Sequence, residues 1–216
     1  MSRTRFLWWI LAAAMAGSLF YYSWMKLSVR PEQTVPPSIH GHAPDFTLKD
    51  TQGKPFGSSM LRGTVWVADF IFTSCAGQCP QMTNRMRLLQ ERLPQSVQLV
   101  SITVDPERDT PSVLARYASE YGAQPGRWHF LTGDKTAIQH LTMEGFHLGY
   151  ADGGPKEEPI IHSVRFILVD QQGEIRGYYD AADQASLDRL VQDAKDAVRG
   201  STSSPRTTGH PELVEG

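Results

Sequence analysis

Thr64-Val65-Trp66-Val67-Ala68-Asp69-Phe70-Ile71-Phe72-Thr73-Ser74-Cys75-Ala76-Gly77-Gln78-Cys79-Pro80 is the stretch that decides the fold. From Thr64 to Phe72 it is almost continuously apolar, β-branched or aromatic, interrupted only by Asp69. A run of that kind is a strand buried on both faces, and so a central one. After the cysteines, Met82, Met86, Leu89 and Leu93 recur at helical spacing. Pro80 suits the first position of that helix, because its missing N–H would have no partner there. Cys79 is then expected at or just before the helix start. A helix N-terminus carries about half a positive charge, which favours thiolate over thiol. The two thiols therefore stand where a central strand hands over to a helix, at an electropositive and accessible point.

Working outward, Phe46, Leu48, the turn Asp50-Thr51-Gln52-Gly53 and Phe56 spell a small β-hairpin. Val97 to Val104 is a second buried strand. Asp109-Thr110-Pro111 opens a helix with a capping side chain and a proline at its first position, and its apolar face is Val113, Leu114, Tyr117, Ala118 and Tyr121. Trp128 to Leu131 is a short strand, and Asp134 caps a helix carrying Ile138 and Leu141. Residues 144–160 are irregular. Val164 to Val169, the turn Asp170-Gln171-Gln172-Gly173 and Ile175 to Tyr179 form a hairpin. A last helix carries Leu187, Leu190, Val191, Ala194 and Val198 and ends at Gly200. Strands alternating with helices argue an α/β domain with a mixed central sheet, laid out as a thioredoxin-like fold. In open α/β sheets the site lies beyond the carboxyl ends of the strands, where Cys75 and Cys79 fall.

The chain has 216 residues, a net charge of -2 and two cysteines. That length allows one domain with a sizeable core plus extras. The charge provides no basic field for nucleic acid. Two cysteines are too few for a disulfide-stapled scaffold, and a chain of this size does not need a staple. Phe6 to Met25 has no charged residue and carries Trp8, Trp9, Phe20, Tyr21, Tyr22 and Trp24 near its ends. As a helix it would span roughly 30 Å, the hydrocarbon thickness of a bilayer, with aromatics at both interfaces. Arg3 and Arg5 precede it, and Lys26 and Arg30 follow. The expected organisation is a membrane anchor over 1–26, with residues 6–25 in the bilayer. A proline-bearing tether follows over 27–42, a thioredoxin-like domain over 43–199 and a disordered tail over 200–216. The competing reading is a cleaved signal peptide, with small residues supplied by Ala12, Ala13, Ala14 and Ala16. Either way the domain is exported to the periplasmic or an equivalent side, where free thiols meet an oxidising environment.

Three chemistries fit two cysteines separated by three residues: a structural disulfide, a redox dithiol and a metal site. As thiolates they are soft ligands suited to Cu(I), and able to hold zinc. A third ligand would complete such a site. The candidate is His162, which follows the irregular segment and precedes a buried strand. Two thiolates and one imidazole could hold Cu(I), and also Cu(II) if water or a carboxylate completes the set. An isolated histidine is as readily a structural residue. Met82 and Met86 are soft donors too, but their spacing matches core packing. His40 and His42 fall in the tether, with no specific role assigned. His129, between Trp128 and Phe130, is a strand residue. Asp69, inside an apolar strand, is expected to have a hydrogen-bond partner.

At these residues the chain resembles the Sco/SenC copper chaperones, which help assemble the binuclear copper (CuA) site of cytochrome c oxidase. The resemblance is carried by Phe70-Ile71-Phe72-Thr73-Ser74-Cys75, by Cys79-Pro80, by Val104-Asp105-Pro106-Glu107-Arg108-Asp109-Thr110-Pro111 and by His162-Ser163. With the Asp45-Phe46 hairpin it covers roughly residues 43–199. It implies that Cys75, Cys79 and His162 are copper ligands, and that Asp105 occupies the family's acidic position near the site. It also implies a single N-terminal membrane helix and a partner in the CuA-bearing oxidase subunit, with an upstream copper donor or a thioredoxin-like reductant. Ala76 stands where many relatives carry proline, and Ile161 where an Asp often precedes the histidine. The rival function is an anchored thiol–disulfide oxidoreductase that reduces partner cysteines before metal insertion. A peroxide-linked sensor is a third, for which no partnering arginine can be placed.

Overall fold

In a computed structural model the described residues are 15, 17, 40–75, 77–148 and 164–200. The chain divides into two compact units, residues 1–36 and 37–216. Of the first, Met15 and Gly17 are described, and both are helical. The rest of the expected anchor, most of the tether and the tail lie outside the described residues. Among the described residues no helix is long and apolar enough to cross a membrane.

The second unit is built on the run quoted above. β3 (Trp66–Ile71) is buried along its whole length and lies at the centre of a five-stranded sheet. Its neighbours are β4 (Gln98–Thr103), parallel, and β6 (Arg165–Val169), antiparallel. β5 (Trp128–Leu131) extends the parallel side, and β7 (Ile175–Asp180) the antiparallel side. The order is β5-β4-β3-β6-β7. A separate hairpin, β1 (Thr47–Lys49) and β2 (Pro55–Gly57), turns at the expected Asp50, whose carboxylate accepts the N–H of Gln52 and of Lys54. It docks on the main sheet through reciprocal Lys49–Thr132 backbone hydrogen bonds of 2.7 and 2.9 Å. The contact is close: a Cβ on Gly133 would stand 2.7 Å from Leu48 Cδ2.

Side-chain alternation along β3 sorts the core into two layers. Val67 and Ile71 pack with α1 (Gln78–Arg92), α2 (Pro111–Glu120) and α4 (Gln184–Gly200), through Met82, Met86, Leu114, Tyr117, Leu187 and Leu190. Trp66, Ala68 and Phe70 pack with the hairpin and with α3 (Lys135–His140), through Leu48, Phe56 and Ile138. Helices α1 and α2 share a face because successive right-handed crossovers step the same way along β3, β4 and β5. Met82 and Met86 are buried, as core packing requires.

Caps set the helix ends. Thr110 Oγ1 accepts from Val113 N at 3.4 Å with Pro111 at the first position, and Asp134 Oδ1 accepts from Ala137 N at 2.9 Å. Past the end of α1, the buried Arg127 guanidinium donates to the carbonyls of Leu93, Pro94 and Val97. Leu141, expected within α3, instead begins a π-helical turn (Leu141–Gly145) closed by Phe146 N to Leu141 O at 2.9 Å. Thr142 Oγ1 bonds the Ile138 carbonyl at 2.6 Å, and Leu148 N reaches Thr142 O. Residues 40–43 hydrogen-bond with Gly173 and Ile175 at the start of β7, and His40 packs edge-on against Tyr178.

Candidate metal centre

The carboxyl ends of β3 and β4 lie side by side, in register as far as Ile71 and Thr103. Beyond Ile71 the chain turns at Thr73 and Ser74, and Cys75 N reaches back to Phe72 O at 3.4 Å. Helix α1 then begins at Gln78, so Cys79 is its second residue and Pro80 its third. This corrects the expectation of proline at the first position. Any of the first four N–H groups of a helix lacks an intrahelical partner, so proline is as harmless at the third position as at the first. One of those spare donors has a use: Cys79 N–H points to Cys75 Sγ at 3.5 Å.

The two thiols sit in opposite surroundings. Cys75 is partly exposed and Cys79 is buried, and both are free. Partial burial pushes the Cys75 thiol up, but the N–H groups of Cys79, Gly77 and Gln78 and the Cys79 thiol outweigh it, and Cys75 ends below its ordinary value. Burial pushes Cys79 up to about 12, and the negative charges of Cys75 and Asp69 add to the rise. The outer sulfur is the one that ionises. Behind Cys79, its carbonyl accepts from Thr83 Oγ1 at 2.9 Å, and Thr83 Oγ1 meets the Tyr117 hydroxyl at 2.9 Å.

Asp69 lies on the face of β3 that carries α1. Its place inside an apolar strand predicts a hydrogen-bond partner for it. Neither of its oxygens has one among the described residues, although the side chain is wholly buried. Burial pushes the carboxyl up to about 7, and Ser101, opposite it on β4, draws it only partly back. Ser101 Oγ itself accepts the Trp128 indole N–H at 2.9 Å.

Asp109 went unrecognised in the sequence as a site residue. It stands next to the Thr110 cap but turns inward. Its carboxylate accepts Thr73 N–H at 3.0 Å, the Thr73 hydroxyl, and the Thr103 hydroxyl at 2.5 Å. Thr103 Oγ1 in turn accepts Asp105 N–H at 3.0 Å. Asp105 is half-buried, with Arg108 Nε 3.8 Å from its carboxylate. The only forewarning was the position of Asp109 in the run that follows the second central strand.

His162 lies outside the described residues, and among those described no three His, Cys, Asp or Glu side chains are grouped to hold a metal. His129 hydrogen-bonds Gln98 Oε1 at 3.0 Å and stacks on Phe56, and burial lowers its pKa. It is a satisfied strand residue.

A mixed sheet with two unequal thiols at the start of the helix after its central strand defines a thioredoxin-like dithiol protein. Its relatives narrow that class. Residues 37–199 match the SCO1/SenC family model, and the chain belongs to that family. It is 30% identical over 192 residues to the SCO1 protein homolog of Bacillus subtilis, covering 87% of this chain and 97% of that one. The structure of BsSco superposes with a TM-score of 0.66 at 32% identity, over 75% of this chain and 96% of the other. BsSco belongs to the Sco family of cytochrome c oxidase assembly proteins and contains a disulfide switch. The fold is also that of copper-bound ScoI of Bradyrhizobium japonicum, at a TM-score of 0.57 and 23% identity, over 73% and 98% of the two chains.

Proposed function

We propose that this chain is a membrane-anchored metallochaperone that holds copper on the exported side of the membrane and delivers it to the CuA-bearing subunit of cytochrome c oxidase. Cys75, Cys79 and His162 are its ligands in this reading, residues 1–26 the anchor, 27–42 the tether and 43–199 the copper-binding domain. The observation that supports it most is the placing of two sulfurs at one helix start, with Cys75 Sγ receiving the Cys79 N–H. Two sulfur donors of unequal acidity fit a soft, monovalent cargo, and the ionised Cys75 is the natural first point of attachment. Family membership supports the choice of copper over zinc. Asp105, beside the cysteine loop, is suited to tuning the site or meeting a partner.

Anaerobic Cu(I) titration of the reduced protein against a competing chelator tests this. Cys75→Ala, Cys79→Ala and His162→Ala should each weaken binding by at least about tenfold, since ligand loss costs no less than loss of a ligand's support. Parent-like binding by His162→Ala would remove the imidazole from the set. Parent-like binding by Cys75→Ala would end the metal reading.

A second reading is favoured by the unequal acidities of the thiols. Cys75 thiolate would attack a partner disulfide and release one partner thiolate. Cys79 would then give up its proton to that thiolate and attack the Cys75 sulfur. This frees the second partner thiolate and closes Cys75–Cys79 as a disulfide. Reduction of an oxidised partner peptide by His162→Ala at the parent rate, without copper, would support this activity, and no turnover by the parent would dismiss it.

A further inference from the structure

We propose that Asp109 is the positioning residue of the Cys75 loop: its buried carboxylate clamps Thr73 to Thr103 and so holds Cys75 where the first N–H groups of α1 meet its sulfur. The inference rests on Cys75 as the working thiol of the proposed site, but not on copper delivery.

The ends of β3 and β4 separate after Ile71 and Thr103, and neither the turn at Thr73–Ser74 nor the loop at Asp105–Arg108 has ladder partners to hold it. Asp109 bridges that gap. Oδ2 takes Thr73 N–H and the Thr103 hydroxyl, and Oδ1 takes the Thr73 hydroxyl. The residue is wholly buried, and the contacts found at its carboxylate are with hydroxyl and amide donors, not a cation. Charge-assisted bonds of this kind are the strong ones, and their geometry fixes both partners. Thr73 is two residues before Cys75, and the loop from Thr73 to Gly77 is short. A shift of Thr73 therefore moves Cys75 Sγ relative to Cys79 N, 3.5 Å away, and a hydrogen bond weakens as its distance grows or its angle closes. Thr103 also carries the Asp105 N–H, so the same clamp joins the Asp105–Arg108 loop to the cysteine loop.

Asp109→Asn keeps the shape but puts an amide N–H₂ where one oxygen accepted. The test is the equilibrium of the Cys75–Cys79 pair with reduced and oxidised glutathione. Loss of N–H support for the Cys75 thiolate destabilises the reduced form, so the equilibrium should move toward the protein disulfide by about threefold or more. In a Cys79→Ser background, alkylation of Cys75 by iodoacetamide at pH 7 should slow to a similar degree. A folded Asp109→Asn protein with a lowered melting temperature but parent values in both assays would overturn the proposal, leaving Asp109 a purely structural residue. If Asp109→Asn does not fold, Thr73→Val decides. It removes one donor and keeps the N–H, and a smaller shift in the same direction supports the clamp, whereas none refutes it. Failure of copper binding with both thiol effects intact would count against the metallochaperone reading alone.

Discussion

Asp69 and Asp109 are both carboxylates with no solvent exposure, and their surroundings are opposite. Asp109 accepts three hydrogen bonds and holds two strand ends together; Asp69 accepts none among the described residues. Burying an ionised carboxyl without partners is costly, and the group answers by holding its proton up to about pH 7. The sign follows directly. An acid whose folded pKa exceeds its unfolded one binds more protons when folded, so stability falls as pH rises between the two values. For Asp69 that window runs from 3.8 to about 7. Asp69→Asn should therefore stabilise the protein, and more so at pH 8.5 than at pH 5, by on the order of 2 kcal/mol. Urea unfolding at the two pH values measures the difference, and an equal effect at both would show that Asp69 ionises as readily in the fold as in the unfolded chain. A residue left in this condition beside Cys79 was invisible in the sequence, which gave its apolar neighbours but not whether a donor would face it.

At the scale of elements, the strands were the most legible part. Thr64 to Phe72 and Val97 to Val104 are legible because both faces are buried, so every position but Asp69 and Gln98 is apolar or small. The hairpin at Asp50 and the caps at Thr110 and Asp134 followed from side chains that bond their own backbone. Three boundaries were not legible. Helix α1 starts before its proline because the turn at Cys75 supplies a sulfur acceptor for an N-terminal N–H. The widening after α3 depends on Phe146 seating in the core and reaching Leu141 O, a tertiary demand. The end of α1 depends on Arg127, thirty-odd residues away along the chain, whose guanidinium bonds the carbonyls of Leu93 and Val97 and shares that of Pro94 with the Val97 N–H. Arg127→Met should strip the Leu93 and Val97 carbonyls of their guanidinium donor and cost about 2–3 kcal/mol, read as a lower urea midpoint at unchanged slope. A change within a few tenths of a kcal/mol would mean that water replaces the guanidinium.

For the whole molecule, the two core layers divide the work. The face with α1, α2 and α4 carries Asp69 and Cys79, and the opposite face anchors the hairpin and α3. The class of fold was legible from the strand–helix alternation. The position of the cysteines at the mouth of the sheet was legible from the single handover of strand to helix. Joining a late imidazole to the early cysteines remains the proposed step, because it depends on residues 149–163.

The pairing of residues 40–43 with the start of β7 bears on how the domain behaves once cut from the residues that precede it. β7 is an outermost strand, and His40, Gly41 and Ala43 occupy backbone groups of Gly173 and Ile175 that would otherwise be bare. Uncovered rims of sheets recruit neighbouring molecules. A recombinant fragment starting at Phe46 should self-associate as its concentration rises, seen as a growing apparent mass by light scattering. One starting upstream of residue 40 should stay monodisperse over the same range.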